Sequence, residues 1–326
     1  MEQQYYSFVA SDNKETEYSG AASCRNNGKM LLLLAALLFV CCNAMAVSRR
    51  IFTDTIPIEW HNNHILMPVT INHELRHLVF DTGVTGILLW GDKKPFKTKW
   101  TAEATDAKNH TKNLEMGLVL AEFGSRRDSF ETAFTPLPAD TTVRKAMLHT
   151  GDGCMGFSPL IRCGRNYFVK VDLRKGIMIV SNDRRRARET DGVKVSYRKC
   201  DALPTFKVTI GKGHRTRLPF DSGAIEFCTV KTSLLDKWEK ADSTFKASKI
   251  FDDVTTDALA AHDTAFTKRR VKAYKCDFSI KTFTVKDATI MDDPTGAASV
   301  GSEIFQKAAD AFDPWHKKII FQPYGQ

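Results

Sequence analysis

The sequence predicts an all-β protein, mainly strands with a few short helices, built as two similar lobes. Three observations predict it. Apolar residues recur at period two over long stretches, the mark of half-buried strands. Two stretches share one pattern, Leu78-Val79-Phe80-Asp81-Thr82-Gly83 and Leu218-Pro219-Phe220-Asp221-Ser222-Gly223. The elements after each then follow in one order: an apolar element closed by Gly156 or Gly301, an Asp at a turn (Asp172 or Asp313), and a closing apolar strand. Such self-similarity marks an internal repeat. The 326 residues are enough for two modest lobes.

The chain opens on a polar stretch, residues 1–28, followed by Lys29, the apolar run Leu31 to Val40, and Ala44-Met45-Ala46. A positive residue, a ten-residue apolar run and an A-x-A site make a secretory leader. The run is short for a membrane span, which takes about 20 residues. Export to the periplasm, cell surface or medium with cleavage near Ala46 is expected, from a start at Met1 or Met30; a membrane anchor over residues 31–47 is the alternative. Five cysteines follow the leader: Cys154, Cys163, Cys200, Cys228 and Cys276. Export permits disulfides. Cys154 with Cys163 and Cys228 with Cys276 are the pairs considered; an odd count leaves at least one thiol free.

In the first lobe, 51–181, Ile56, Ile58 and Trp60, then Ile65, Met67, Val69 and Ile71, alternate as short strands. Asn62-Asn63 and Asn72-His73-Glu74 are their turns. Leu75 to Phe80 leads into Asp81, and Ile87 to Trp90 continues as a buried strand. Residues 91–113 are polar and Lys-rich, and read as loop or weak helix. Leu114 to Phe123 and Ser129 to Phe134 form a hairpin through Gly124 to Asp128, placed either to overhang a cleft or as an ordinary surface hairpin. Residues 182–194, with Arg184-Arg185-Arg186-Ala187-Arg188, form an exposed basic connector.

The second lobe, 195–326, repeats the plan. Phe206, Val208 and Ile210 alternate, Gly211-Lys212-Gly213 turns, and Leu218 to Phe220 leads into Asp221. Leu234 to Lys240 is a helix. Val271 to Cys276 and Phe278 to Val285 are strands, and Ser302 caps a short helix through Phe305.

The net charge is +9. There is no aromatic-interleaved basic stripe and no zinc-finger spacing, so neither nucleic-acid binding nor a metal site is expected. An acidic residue directly after buried residues costs free energy unless it is paired or hydrogen-bonded. Two in matching loops suggest carboxylates built to meet.

This order resembles the two-lobed aspartic proteases, pepsin-like in layout and retropepsin-like in local sequence, over most of residues 56–323. The resemblance implies a bilobal, acid-protease-like double β-barrel. It also implies an endopeptidase whose catalytic residues are Asp81 and Asp221, supported by Thr82, Gly83, Ser222 and Gly223. Gly153-Cys154-Met155-Gly156 and Ser299-Val300-Gly301 look like the family's hydrophobic-hydrophobic-Gly element. Val84 and Ala224 stand where pepsin-like enzymes carry Ser or Thr, and no Tyr lies between Asp81 and Tyr167 to serve as a flap tyrosine. The resemblance implies a monomer acting on peptide or protein substrates without a cofactor. It implies no nucleic-acid partner, and membrane contact only through an uncleaved N-terminal segment. Two other readings stand beside it: a protease-like module that binds peptides without cutting, and a cysteine enzyme resting on Cys154 or Cys228.

Overall fold

The computed structural model describes residues 51–84, 86–105, 111–156, 167–200, 203–258, 267–293 and 298–325. The leader over residues 1–46 and Cys163 lie outside them. In the first half the strands are β1 (Thr53–Pro57), β2 (Glu59–His61), β3 (His64–Ile71), β4 (Glu74–Phe80), β5 (Ile87–Gly91), β6 (Trp100–Thr105), β7 (Thr111–Phe123) and β8 (Arg126–Pro136). Helix α1 (Thr141–Thr150), β9 (Gly153–Met155), β10 (Phe168–Asp172), β11 (Ile177–Ser181) and α2 (Arg184–Glu189) follow. The second half holds β12 (Val193–Ser196), β13 (Arg198–Cys200), β14 (Leu203–Ile210), β15 (His214–Pro219), β16 (Cys228–Lys231), α3 (Thr232–Ala241) and α4 (Ser243–Ala247). It closes with β17 (Lys249–Ala258), β18 (Thr267–Ile280), β19 (Phe283–Asp293), β20 (Ala308–Asp313) and β21 (Lys318–Pro323).

These strands form three sheets, and the class is all-β with short helices. The first half forms an eight-stranded sheet in the order β2-β3-β4-β9-β5-β8-β7-β6. The second forms a seven-stranded sheet along β13-β14-β18-β19-β16, with β15 and β17 pairing at the sides. The third sheet, β1-β11-β10-β20-β21-β12, takes strands from both halves. Residues from Thr53 onward therefore pack as one compact unit. In this shared sheet Phe312 and Phe321 point inward, reaching the rings of Phe220 and Phe206 at 5.4 and 5.9 Å. Their neighbours Ala311 and Ile320 point outward and pack on Ala187 of α2. Alternation along a strand makes these opposite faces.

Local chemistry sets the hairpins that carry the site. Asn62 and Asn63 (φ 49° and 59°) and Asn72 and His73 (φ 48° and 73°) take the left-handed pairs of two-residue turns. The β3–β4 register that follows, Leu66↔Val79 through Ile71↔Glu74, buries Met67, Val69 and Ile71.

Several expectations are corrected. Residues 100–105 are strand β6, not loop or weak helix. Its position at the sheet edge, paired only with β7, lets it stay polar. The β7–β8 hairpin turns at Gly124-Ser125 alone. Ser125 Oγ donates to Asp54 Oδ1 of β1 at 2.6 Å, which ties the tip to the shared sheet's edge. The basic connector is not all solvated: Asp183 caps α2 and Ala187 is buried beneath it. Phe278 belongs to β18, which runs past a register shift to Ile280. The short helix Ser302–Gln306 is 3₁₀ with Gly301 at its cap, and the Ser302 hydroxyl donates to the Asn63 carbonyl of the first half instead. Cys154, Cys228 and Cys276 are all free thiols, so neither proposed disulfide forms.

Candidate functional site

Each half carries its Asp at the end of a buried strand. Leu78, Val79 and Phe80 are fully buried, and burying such a side chain stabilises by about 1.5–3 kcal/mol. That burial fixes the height at which Asp81 leaves the sheet. The Asp81 N–H donates to the Met155 carbonyl at 3.1 Å, and the Val84 N–H to the Asp81 carbonyl at 3.1 Å. In the second half the Asp221 N–H donates to Val300 at 2.9 Å, and the Ala224 N–H to the Asp221 carbonyl at 3.2 Å. Gly156 and Gly301 are needed behind these loops. A Cβ on Gly156 would lie 1.5 Å from the Val84 carbonyl oxygen, and one on Gly301 2.1 Å from that of Glu226.

The two loops meet through a reciprocal set of bonds. The Thr82 N–H donates to Ser222 Oγ at 2.9 Å, and the Ser222 N–H to Thr82 Oγ1 at 3.0 Å. The Thr82 hydroxyl then donates to the Phe220 carbonyl at 3.0 Å, and the Ser222 hydroxyl to the Phe80 carbonyl at 2.8 Å. Each hydroxyl thus both donates and accepts across the junction. Such buried, fully satisfied networks fix one geometry.

Asp81 and Asp221 face each other within this frame, 1% and 5% exposed. The Gly83 N–H donates to Asp81 Oδ1 at 2.7 Å and the Gly223 N–H to Asp221 Oδ1 at 3.1 Å. The loops are so close that a Cβ on Gly223 would lie 2.4 Å from Asp81 Oδ2. Asp81 Oδ2 is buried and meets no N–H or hydroxyl donor. The Asp221 carboxyl is close enough for its charge to act on Asp81. Two like charges buried this close do not both ionise cheaply, which favours one proton on the pair. Burial, then the Asp221 charge, pushes Asp81 well above the usual carboxylate range. Burial raises Asp221 to about 6, while the Gly223 N–H, Asp81 and the Ala224 N–H hold it down. Both are raised and the pair titrates jointly, so its proton belongs to the two together.

All six residues expected from the sequence come together here. The sequence reading missed His64 of β3. This fully buried imidazole reaches the Gly223 carbonyl at 3.3 Å. Burial lowers it to about 4, against the raising effect of the Gly223 and Asn62 backbone, so it is neutral at ordinary pH. With the Ser302–Asn63 bond, it ties the Asn62-Asn63 turn region to the loop of the opposite half. Its only sequence signal is a histidine just ahead of an alternating apolar strand.

Neither Cys154 nor Cys228, the two thiols considered, is placed as a competing nucleophile. Cys154 and Cys228 are buried, and burial pushes both well above the usual thiol range. Among the described residues no group of three or more His, Cys, Asp or Glu is placed to hold a metal ion. No family model matches this chain, and no curated protein sequence matches it.

Proposed function

We propose that the protein is an exported aspartic endopeptidase in which Asp81 and Asp221 activate a water molecule against a peptide bond. The observation that carries this reading is the reciprocal Thr82–Ser222 frame. It spends four buried hydrogen bonds on holding two carboxyls face to face. A fold with no use for the pair would gain stability by replacing one Asp with an apolar residue, because a buried unpaired charge is costly.

In the proposed reaction the ionised carboxylate takes a proton from the water, whose oxygen attacks the scissile carbonyl carbon. The protonated carboxyl gives its proton to the carbonyl oxygen. Collapse of the tetrahedral intermediate breaks the C–N bond, and the amine leaves with a proton returned by the pair. The roles of base and acid, like the shared proton, belong to the pair and not to one residue. The Gly83 and Gly223 N–H groups hold each carboxylate in line. The substrate is a peptide or protein chain, and the leader brings the enzyme to the exported compartment.

The test is a cleavage assay against a peptide library, resolved by pH, with Asp81→Asn and Asp221→Asn as controls. Cleavage by the parent chain, lost in both variants and blocked by a hydroxyl-bearing peptide mimic but not by thiol alkylation, is the expected result. Unchanged cleavage in both variants rejects the reading. A peptide complex recovered uncleaved at every pH replaces it with the binding module.

A further inference from the structure

We propose that the outer face of the shared sheet, where α2 lies, docks on an anionic phospholipid surface. This inference does not depend on the dyad being catalytic.

The face is built from three segments. Helix α2 covers Ala311 and Ile320 through Ala187 and turns Arg184, Arg186 and Arg188 to solvent. Beside it, Lys194 of β12 donates through Nζ to the Arg188 carbonyl at 3.2 Å. Strand β12 pairs with β21, placing Ser196 opposite Lys318, while the Tyr197 N–H bonds the Lys317 carbonyl at 3.0 Å. Lys317 and Lys318 therefore extend the same basic strip at the β20–β21 turn. The acidic residues nearby do not cancel it. Asp183 is held by Arg185 through paired bonds and Asp313 is taken by His316 at 2.7 Å, which leaves Glu189 at the end of α2 and Asp191 after it as exposed acids against Arg184, Arg186, Arg188, Lys194, Lys317 and Lys318. Arg184, Arg186 and Arg188 make no ion pair among the described residues. Trp315 lies half-buried on this face with the Arg184 guanidinium 5.8 Å from its ring, an amphipathic pairing suited to a headgroup layer.

Two further observations select a membrane over other anionic partners. The first is where the chain enters the fold. Thr53 pairs with Ser181, and their hydroxyls bond at 2.9 Å, only three residues before Arg184. The chain thus joins β1 beside α2, thirteen residues after the apolar run ending at Val40, with Arg49 and Arg50 between. With residues 31–47 kept as a membrane anchor, the alternative to cleavage near Ala46, the apolar run and the basic face make two membrane signals, the number that stable association takes. The second is orientation. The inner face of the same sheet carries Phe312 against Phe220, the residue before Asp221. A membrane under α2 would therefore leave the acidic pair on the side turned away from the lipid, open to a chain arriving from the aqueous phase.

The full chain is mixed with phosphatidylcholine vesicles with and without phosphatidylglycerol, and the bound fraction is measured by sedimentation. The apolar run contributes to both, so the ratio isolates the basic face. The parent chain is expected to prefer the anionic vesicles, with the preference falling as salt rises. Arg184→Gln, Arg186→Gln and Arg188→Gln together should cut it by at least ~10-fold. Neutralising three cations elsewhere, Lys207→Gln, Arg215→Gln and Arg217→Gln on β14 and β15, should leave most of it. If the arginine variant fails to fold, Lys317→Gln with Lys318→Gln, at an exposed turn, decides in the same way with a smaller drop. An equal loss in both sets, or no loss in the α2 set, overturns the proposal. So does unchanged vesicle binding with lost binding to heparin, which would assign the face to a soluble polyanion.

Discussion

The two Asp loops have one shape but different support. Behind Asp81, β9 is a three-residue strand set between β4 and β5, with Leu78↔Gly153, Val79↔Cys154 and Phe80↔Met155 in register. Behind Asp221 the same role falls to single bridges from Val300 to Phe220 and Cys228. Pro219 explains the difference. It occupies the position of Val79 and has no N–H to extend the ladder, so pairing stops at one residue. The second loop recovers support from the first half, through His64 on the Gly223 carbonyl and Ser302 on the Asn63 carbonyl. The electrostatics differ in parallel. Burial and the Asp221 charge raise Asp81 well above the usual range; burial raises Asp221 to about 6 against its backbone bonds from Gly223 and Ala224. The lesson is that a duplicated loop need not be supported equally in both copies for the pair to meet.

The largest effect should be chemical and symmetric. Under the proposed reaction, Asp81→Asn and Asp221→Asn should each lower kcat/KM by about 10²–10⁴-fold, since each removes one partner of the acid–base pair. Steady-state kinetics on a peptide substrate checks this, and a large loss in only one variant would break the symmetry. Next come the glycines behind the loops. Gly156→Ala and Gly301→Ala should each cost more than about 4 kcal/mol, because the new methyl meets rigid backbone in both halves. Gly156→Ala should be worse, with its closer contact at 1.5 Å against 2.1 Å. Denaturant unfolding ranks them, and the reverse order would show that β9 yields more readily than Val300.

A smaller effect tests the frame. Thr82→Ala and Ser222→Ala should each cost about 1–3 kcal/mol by leaving buried backbone groups unpaired. Because the bonds are reciprocal, the double variant should cost less than the sum. Additive losses would mean that the two hydroxyls act independently. The smallest effect is on stability against pH. Asp221 has a folded value near 6 above an ordinary value of 3.8, so the stability it contributes is complete below about 4 and lost as pH rises through about 6. The melting temperature should fall by a few degrees over that window and stay flatter in Asp221→Asn. A rise over the same window would contradict the raised value.

Much of this was legible in residues. Paired Asn at 62–63 and 72–73 set the turns, and alternation of Ile65, Met67, Val69 and Ile71 set the face they bury. The two Asp motifs were readable because burial before a carboxylate is a costly pattern. Other features were passed over. Helix α1 carries Val143, Ala146, Met147 and Thr150 on one buried face behind an Asp140 cap, a helical spacing hidden inside a chain otherwise read for strands. Strand β6 gave no signal because an edge strand can stay polar. The contacts of His64 and Ser302 with the opposite half depend on residues 159 and 239 positions away, which no local pattern encodes.

The central claim is that Asp81 and Asp221 share one proton in the folded protein. It is tested most directly by following the side-chain carboxyl carbons of ¹³C-labelled aspartate by NMR against pH, with each Asp→Asn variant used for assignment. The account predicts one site carboxyl that ionises near pH 6 and a second that stays protonated well beyond it, with each one's titration moving when the other is replaced. Two carboxyls that both ionise near pH 4, unaffected by each other's removal, would contradict it.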